Sequence, residues 1–261
     1  MDNLLLYTNK LAPIIMLIVI LFFLYFWKTL GIPPWLKNFI KFTIKIAPLI
    51  LLPVFFLSLY YSGTRDITLW LLKENYPVEK ATFIFLFLGG ILGVVLSINM
   101  KKNGEKNIIC IFYMCFSLLL LFTAMEEVAW GQLIFHYETP SFFKTINFQQ
   151  EATLHNIKGL QHHSEILRFI FGFGGLLGLW LSRFPNWRIL APNKILLTWF
   201  IVISLHAGID VYNDYFPIEE IFNFNLSRTA ELIEMMIGFS GLLYIVLNSQ
   251  WIFRYMERDR D

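Results

Sequence analysis

The chain has 261 residues, of which 57% are hydrophobic and 15% are charged, and its formal net charge is +2. Its mean hydropathy is +0.59. This composition excludes an ordinary soluble domain, and so small a net charge argues against nucleic acid as a partner. A membrane-spanning helix needs roughly 20 mostly apolar residues. The pattern predicts an all-α bundle of seven such segments that occupies residues 1–261 as one transmembrane domain. The segments are 4–27, 46–62, 82–100, 108–134, 166–182, 195–213 and 227–250.

Charge separates the two ends of these segments. The connections 28–45, 101–107 and 183–194 and the tail 251–261 are rich in Lys and Arg. Such loops are typical of the cytoplasmic side and attract anionic lipid headgroups. We therefore expect a multi-pass protein of the cell inner membrane, with the N-terminus outside and the C-terminus in the cytoplasm. Most acids and all five histidines fall on or toward the opposite face, so we expect the functional site there.

Small residues predict where helices approach closely. Gly89 and Gly93 lie four apart in the third segment, and Gly174 and Gly178 lie four apart in the fifth. This spacing favours close contact between membrane helices.

The outer loop 135–165 is the one long connection, and it carries many apolar residues. The pair Thr139-Pro140 predicts a short helix over 140–146. A second helix is expected over 149–160, so that the loop forms a lid on the bundle. On that helix Glu151 and His155 share a face, where a carboxylate can orient an imidazole for base catalysis or metal binding. The alternative is an ordinary surface helix.

The fourth segment ends in Glu126 and Glu127, which point about 100° apart on a helix. We expect one to face the bundle and the other to face the interface or the lid. Glu127 is the predicted catalytic carboxylate. The predicted substrate-binding residues are Glu126, Trp130, Gln132 and Asn156. The alternative is that the helix simply leaves the membrane here.

Two later helices carry polar pairs well inside the membrane. His206 and Asp210 share one face of the sixth segment, and Glu231 and Glu234 share one face of the seventh. A carboxylate at such depth costs at least a few kcal/mol unless it is paired or hydrated. Arg228 is placed to neutralise Glu231.

No Lys or Arg is expected deep enough to reach Glu234. Several acids must then share protons, a cation or a water-filled cavity. Histidine and carboxylate are normal ligands of zinc, manganese or iron, so these four residues are the predicted metal set. The alternatives are a metal-free polar cavity and a purely structural role, with His206 bonded to Asp210.

A sequence signature accompanies this site. It comprises 126–135 (EEVAWGQLIF), then Glu138-Thr139-Pro140, then Asn147-x-Gln149-x-Glu151-x-x-Leu154-His155-Asn156. These residues resemble a signature of uncharacterised bacterial polytopic membrane proteins, which implies an inner-membrane location. The chain also has a looser similarity to seven-helix membrane hydrolases of the alkaline ceramidase and adiponectin receptor type, which use histidines, an aspartate and zinc. Where those hydrolases carry two histidines four apart on a late helix, this chain has His206 and Asp210.

Three functions are compatible with these features. The leading hypothesis is a membrane-embedded enzyme, a hydrolase or transferase acting on a lipid or lipid-linked substrate at the outer leaflet. A divalent metal would activate water or polarise an ester or phosphate. The second is a proton- or cation-coupled transporter or membrane sensor, although no internal repeat of the transporter kind is visible. The third is a structural or assembly protein. The sequence names neither the substrate nor the oligomeric state.

Overall fold

The computed structural model describes residues 33–135, 137–147, 152–154, 157 and 164–258. The first predicted segment, 4–27, lies outside these residues. The described part is helical and contains no strand. Its helices are α1 (Pro34–Ser58), α2 (Ser62–Leu71), α3 (Pro77–Lys102), α4 (Asn107–Glu127), α5 (Gln132–Phe135), α6 (Ser141–Ile146), α7 (Ser164–Leu181), α8 (Leu197–Tyr215) and α9 (Glu220–Arg258).

Six of these helices, α1, α3, α4, α7, α8 and α9, are long and apolar enough to cross a membrane. They correspond to the second through seventh predicted segments. The chain is thus a helical multi-pass membrane protein. The helix predicted at 140–146 is confirmed as α6, whereas α2 was not expected from the sequence.

Helix α1 begins much earlier than predicted. The sequence assigned 28–45 to a connection because its lysines interrupt the apolar pattern, but the helix starts at Pro34 and runs through Lys37, Lys41 and Lys45. Proline at the first helical position supplies the fixed φ that a helix start needs. No proline or glycine lies between Pro34 and Pro48, so the helix is uninterrupted there. Its three lysines are exposed on the helix surface.

Close helix contacts depend on particular glycines. A Cβ on Gly89 would lie 3.2 Å from the backbone Cα of Leu242, and a Cβ on Gly93 would collide with Ser117, so the predicted α3 contact is confirmed. The prediction is wrong for Gly174, around which a Cβ would meet nothing within 4 Å.

In α7 the tight contact falls at Gly172 instead. A Cβ there would lie 2.9 Å from the backbone nitrogen of Ser204 in α8. Spacing alone does not tell which glycine of a glycine-rich helix faces the neighbour, and the fold selects Gly172. Gly178 does lie in contact, with Pro192 rather than with another helix.

We call the end of the bundle with the connections 103–106 and 182–196 the basic end, and the opposite one the acidic end. At the basic end, Tyr113 of α4 donates a hydrogen bond to the carbonyl oxygen of Ile189 at 2.8 Å. Asn248 of α9 donates to the Tyr113 hydroxyl at 2.9 Å and to the carbonyl oxygen of Ala191 at 3.1 Å. These bonds hold the connection 182–196 across the helix ends.

Candidate functional site at the acidic end

The adjacent carboxylates at the end of α4 face different surroundings, as predicted. The carboxylate of Glu126 accepts hydrogen bonds from the indole Nε1 of Trp130 at 2.6 Å and from the backbone nitrogen of Leu154 at 2.7 Å. Glu126 is buried, and it faces the loop. Glu127 faces the bundle, where its charge interacts with those of Glu234, Glu79 and Glu231.

Gln132 also holds the loop against the bundle. Its side-chain amide donates to the hydroxyl of Thr139 at 2.6 Å, and its carbonyl oxygen accepts from the backbone nitrogen of Ala152 at 3.0 Å. Asn147 donates to the carbonyl oxygen of Thr153 at 2.9 Å and pairs with Ile157 in an isolated bridge. Glu126 and Gln132, which were predicted to bind substrate, therefore serve first to position the loop.

The second predicted loop helix, 149–160, is wrong for the residues that the structure describes. Residues 152–154 and 157 are not helical. The side chains of Asn147, Gln132 and Glu126 form hydrogen bonds with the backbone of residues 152–154, and these bonds take the place of helical ones. The predicted residues Glu151, His155 and Asn156 lie outside the described residues. The pairing of Glu151 with His155 therefore stays a prediction, although the described residues 152–154 between them are not helical.

A tight turn follows Glu127 and places Trp130 beside the loop. Ala129 and Trp130 adopt positive φ angles of 46° and 55°, and Gly131 one of 92°. Non-glycine residues rarely adopt this conformation, and functional segments are enriched in it. The turn contributes to an open pocket of about 340 Å³ lined by Trp130, Phe143, Ala152 and Leu154.

Carboxylates from three helices converge inside the acidic end. Glu127 comes from α4, Glu79 from α3, and Glu231 and Glu234 from α9. The charge of Glu127 interacts with those of the other three, and the charge of Glu231 interacts with those of Glu234 and Glu79. Each of the four is only partly buried, so none is sealed inside the core. Residues far apart in the chain are thereby gathered into one acidic cluster, which we define as these four side chains.

The sequence interpretation missed Arg168, which lies beside this cluster. Arg168 of α7 is 6% exposed. Its Nη2 donates to Oδ2 of Asp210 at 2.9 Å, and its Nη1 lies 3.9 Å from Oε1 of Glu234. The expectation that no Lys or Arg reaches Glu234 is therefore wrong. The available signal was a single cation inside an otherwise apolar helix, a position that usually marks a paired or functional residue.

His206 and Asp210 share a helix face, but they have different partners. His206 Nε2 lies 3.0 Å from the hydroxyl of Thr229, and Asp210 binds Arg168. The ring is 3% exposed, and its Nδ1 has no hydrogen-bond partner among the described residues. The alternative in which His206 is bonded to Asp210 is thus not seen.

The predicted metal set shares one end of the bundle without forming a ligand group. Among the described residues, no group of three or more His, Cys, Asp or Glu side chains is arranged to hold a metal ion. Arg168 occupies the position between Asp210 and Glu234, where a cation would have to lie. As arranged, the four residues do not fit a zinc, manganese or iron centre.

Comparison with protein-family models, curated proteins and solved structures found no match for this chain. The two sequence resemblances therefore stay predictions.

Proposed function

We propose that this protein is a membrane-embedded enzyme that acts on a lipid or lipid-linked substrate at its acidic end. The observation that carries the proposal is the convergence of four partly buried carboxylates beside one buried arginine. Charged groups within a bilayer are costly and are usually retained for function. A structural role alone would be served by a single ion pair such as Arg168 with Asp210.

Glu127 is the proposed general acid–base. Carboxylates held close together share protons, which suits one of them to donating and accepting a proton during a reaction. Glu127 lies at the end of α4, next to the loop that Glu126 and Gln132 hold in place. It is thus the member of the acidic cluster that stands at the boundary between the bundle and the loop.

Arg168 is the proposed anion-binding group. Its Nε has no hydrogen-bond partner among the described residues. A guanidinium offers adjacent N–H groups that fit the oxygens of a phosphate or carboxylate. The ion pairs with Asp210 and Glu234 would orient it, and its Nη1, 3.9 Å from Glu234, also has no hydrogen-bond partner among the described residues.

The pocket beside Trp130 is proposed to receive the apolar part of the substrate. Its volume of about 340 Å³ lies at the small end of the range for ligand pockets. Glu126 accepts hydrogen bonds from the residues on two sides of this pocket, Trp130 and Leu154. Glu126 faces the loop and Glu127 faces the bundle, so a substrate with its acyl chain in this pocket would have to extend its headgroup past the end of α4 to reach the acidic cluster.

A metal-dependent mechanism would require Asp210 to leave Arg168, whereas Nδ1 of His206 has no hydrogen-bond partner among the described residues. We therefore derive the chemistry from the side chains alone. Elemental analysis of the detergent-purified protein tests this choice. Stoichiometric zinc, manganese or iron that is lost in both His206→Ala and Asp210→Ala would restore the metal set.

A transporter is the second candidate, and the ion pairs of Arg168 favour it. Arg168 contacts acids on two other helices, Asp210 of α8 and Glu234 of α9. Proton binding to either acid would change which helix Arg168 holds, a change of the kind that proton-coupled transporters use. The basic end is proposed to face the cytoplasm in either case, because its connections carry the excess of Lys and Arg.

Reconstitution into liposomes of bacterial polar lipids separates the two candidates. Lipid products are followed by mass spectrometry, and proton flux is followed with an internal pH dye under an imposed gradient. For the enzyme, we expect product formation that Glu127→Gln reduces by about 100-fold or more, the scale of lost acid–base catalysis.

Glu138→Gln is the matched control, since Glu138 is exposed and pairs only loosely with Lys144 at 3.8 Å. Product formation should be unchanged in this variant. No lipid product, together with proton flux that depends on Glu127, would favour the transporter. Equal loss in both variants would remove Glu127 from its proposed role.

A further inference from the structure

We propose that the first three turns of α1, residues 34–45, form a binding surface for anionic phospholipid headgroups at the basic end. This surface is distinct from the acidic end and does not depend on the function proposed for it. We call it the α1 basic surface. It is carried by Lys37, Lys41 and Lys45 together with Trp35, Phe39 and Phe42.

The position of the surface follows from two contacts between α1 and α8. Trp199 Nε1 donates to the carbonyl oxygen of Ile44 at 2.8 Å, and the hydroxyl of Thr198 donates to the carbonyl oxygen of Lys45. Residues 44 and 45 are therefore level with the beginning of α8, at the basic end. The helix continues past this level from residue 44 back to residue 34, about 15 Å at 1.5 Å per residue.

The lysines are aligned on one side of this projecting part. Lys37, Lys41 and Lys45 are spaced four apart, so they fall within about 80° of one another around the helix, and all three are exposed. The short segment Lys194–Leu196 packs against α1 and adds an exposed Lys194. In the part of the chain that the structure describes, no acidic side chain occurs on the projecting turns.

The aromatic side chains identify a membrane surface rather than water as the neighbour. Trp35, Phe39 and Phe42 are 69%, 61% and 59% exposed. They occupy one face, next to the lysines, and the opposite face with Leu36, Ile40 and Ile44 is more buried. Exposed aromatics next to a row of lysines are typical of a helix at the headgroup level, where the rings reach acyl chains and the ammonium groups reach phosphate.

Lipid chemistry follows from the charge. Lysine ammonium groups on a flexible stem attract phosphate, and each basic residue near an anionic membrane strengthens binding. The occupant we propose is therefore an anionic phospholipid such as phosphatidylglycerol. A second copy of this chain and residues 1–32 of the same chain are the competing occupants.

The first experiment identifies what contacts the surface. A photo-crosslinking phenylalanine analogue at Phe39 is activated in the full-length protein in liposomes of phosphatidylglycerol and phosphatidylcholine, and adducts are identified by mass spectrometry. Phosphatidylglycerol adducts enriched over their share of the bilayer support the proposal. Adducts to residues 1–32, to a second copy, or to both lipids in proportion to their abundance would overturn it.

The second experiment tests the lysines. Native mass spectrometry or lipid competition compares the wild type with the triple variant Lys37→Gln/Lys41→Gln/Lys45→Gln. We expect about a 10-fold or greater loss of preference for phosphatidylglycerol over phosphatidylcholine, on the scale of several lysine contacts.

The matched control is Lys101→Gln/Lys102→Gln/Lys106→Gln, which removes three charges from the other basic connection at the same end. This control should keep most of the preference. If both triple variants lose it equally, the attraction is a general property of the basic end, and the assignment to α1 is overturned. Thermal unfolding in detergent excludes misfolding of either variant.

Discussion

Arg168 and Asp210 form an ion pair of 2.9 Å between α7 and α8, with only 7% and 16% of their side chains exposed. Because Arg168 also lies 3.9 Å from Glu234 of α9, one guanidinium connects three helices at the acidic end. This pair explains how acids can lie within an apolar bundle. Loss of Arg168 should therefore affect the contacts among all three helices.

Replacing Arg168 with leucine should strongly destabilise the protein. The change leaves Asp210 and Glu234 without a cation, and breaking a buried pair from one side costs about 3–5 kcal/mol. Denaturant unfolding in mild detergent measures the loss. The double variant Arg168→Leu/Asp210→Leu should recover part of it, because the Asp210 carboxylate is then no longer left without its cation and only Glu234 is. A loss no larger than that of Arg183→Leu, at an exposed arginine, would contradict the structural role assigned to the pair.

The sequence predicts the spanning helices because apolar length is a strong signal. It also predicts that Glu126 and Glu127 diverge, since that follows from helix geometry alone. It does not predict Arg168, because one cation in α7 acquires meaning only when α8 and α9 bring Asp210 and Glu234 beside it. The start of α1 was also missed. Lysines within an apolar stretch occur both in loops and on the exposed surface of a helix, so the sequence alone does not distinguish the two.

Substitution of two nearby glycines in α7 should have opposite consequences. In Gly172→Ala the added Cβ would lie 2.9 Å from the backbone nitrogen of Ser204, so α7 and α8 must separate, at about 1–3 kcal/mol. In Gly174→Ala the Cβ meets nothing within 4 Å, and alanine favours the helix, so stability should stay equal or rise slightly. Thermal unfolding of both variants gives the comparison. A Gly174→Ala variant that is less stable than Gly172→Ala would refute the packing of α7 on α8.

Membrane orientation can be tested by cysteine labelling. Cys110 and Cys115 are first replaced with alanine, and single cysteines are then placed at the exposed positions Ser141, Asn223 and Asn103. If the acidic end faces outward, a membrane-impermeant reagent should label positions 141 and 223 in intact cells. Position 103 should be labelled only after the cells are opened. Labelling of 103 alone in intact cells would invert the orientation and place the acidic cluster toward the cytoplasm.

The outer loop shows where a residue pattern is least informative. Thr139-Pro140 correctly predicts the position of α6, but Pro140 and not Thr139 precedes its first turn, and the Thr139 hydroxyl accepts a hydrogen bond from Gln132 instead of capping the helix. The stretch around 152–154 was predicted to be helical, but its conformation depends on distant side chains, since Glu126 and Gln132 accept hydrogen bonds from its backbone. No periodicity in the loop itself reports those partners.

Glu126→Gln should therefore loosen the loop without disturbing the bundle. Both carboxylate oxygens accept hydrogen bonds, one from Trp130 and one from the backbone nitrogen of Leu154. Glutamine keeps one acceptor and turns an N–H group toward a donor, so one bond is lost at a cost of about 1–3 kcal/mol. The loss is local, because the ion pairs of Arg168 and the contacts of α3 with α4 and α9 do not involve this carboxylate.

Hydrogen exchange followed by mass spectrometry should show faster exchange at the Leu154 amide and in the loop 135–165, with exchange in α8 unchanged. Glu138→Gln, at an exposed glutamate of the same loop, should leave both regions as they are. Unaltered exchange at Leu154 in Glu126→Gln would mean that the loop is held by other contacts.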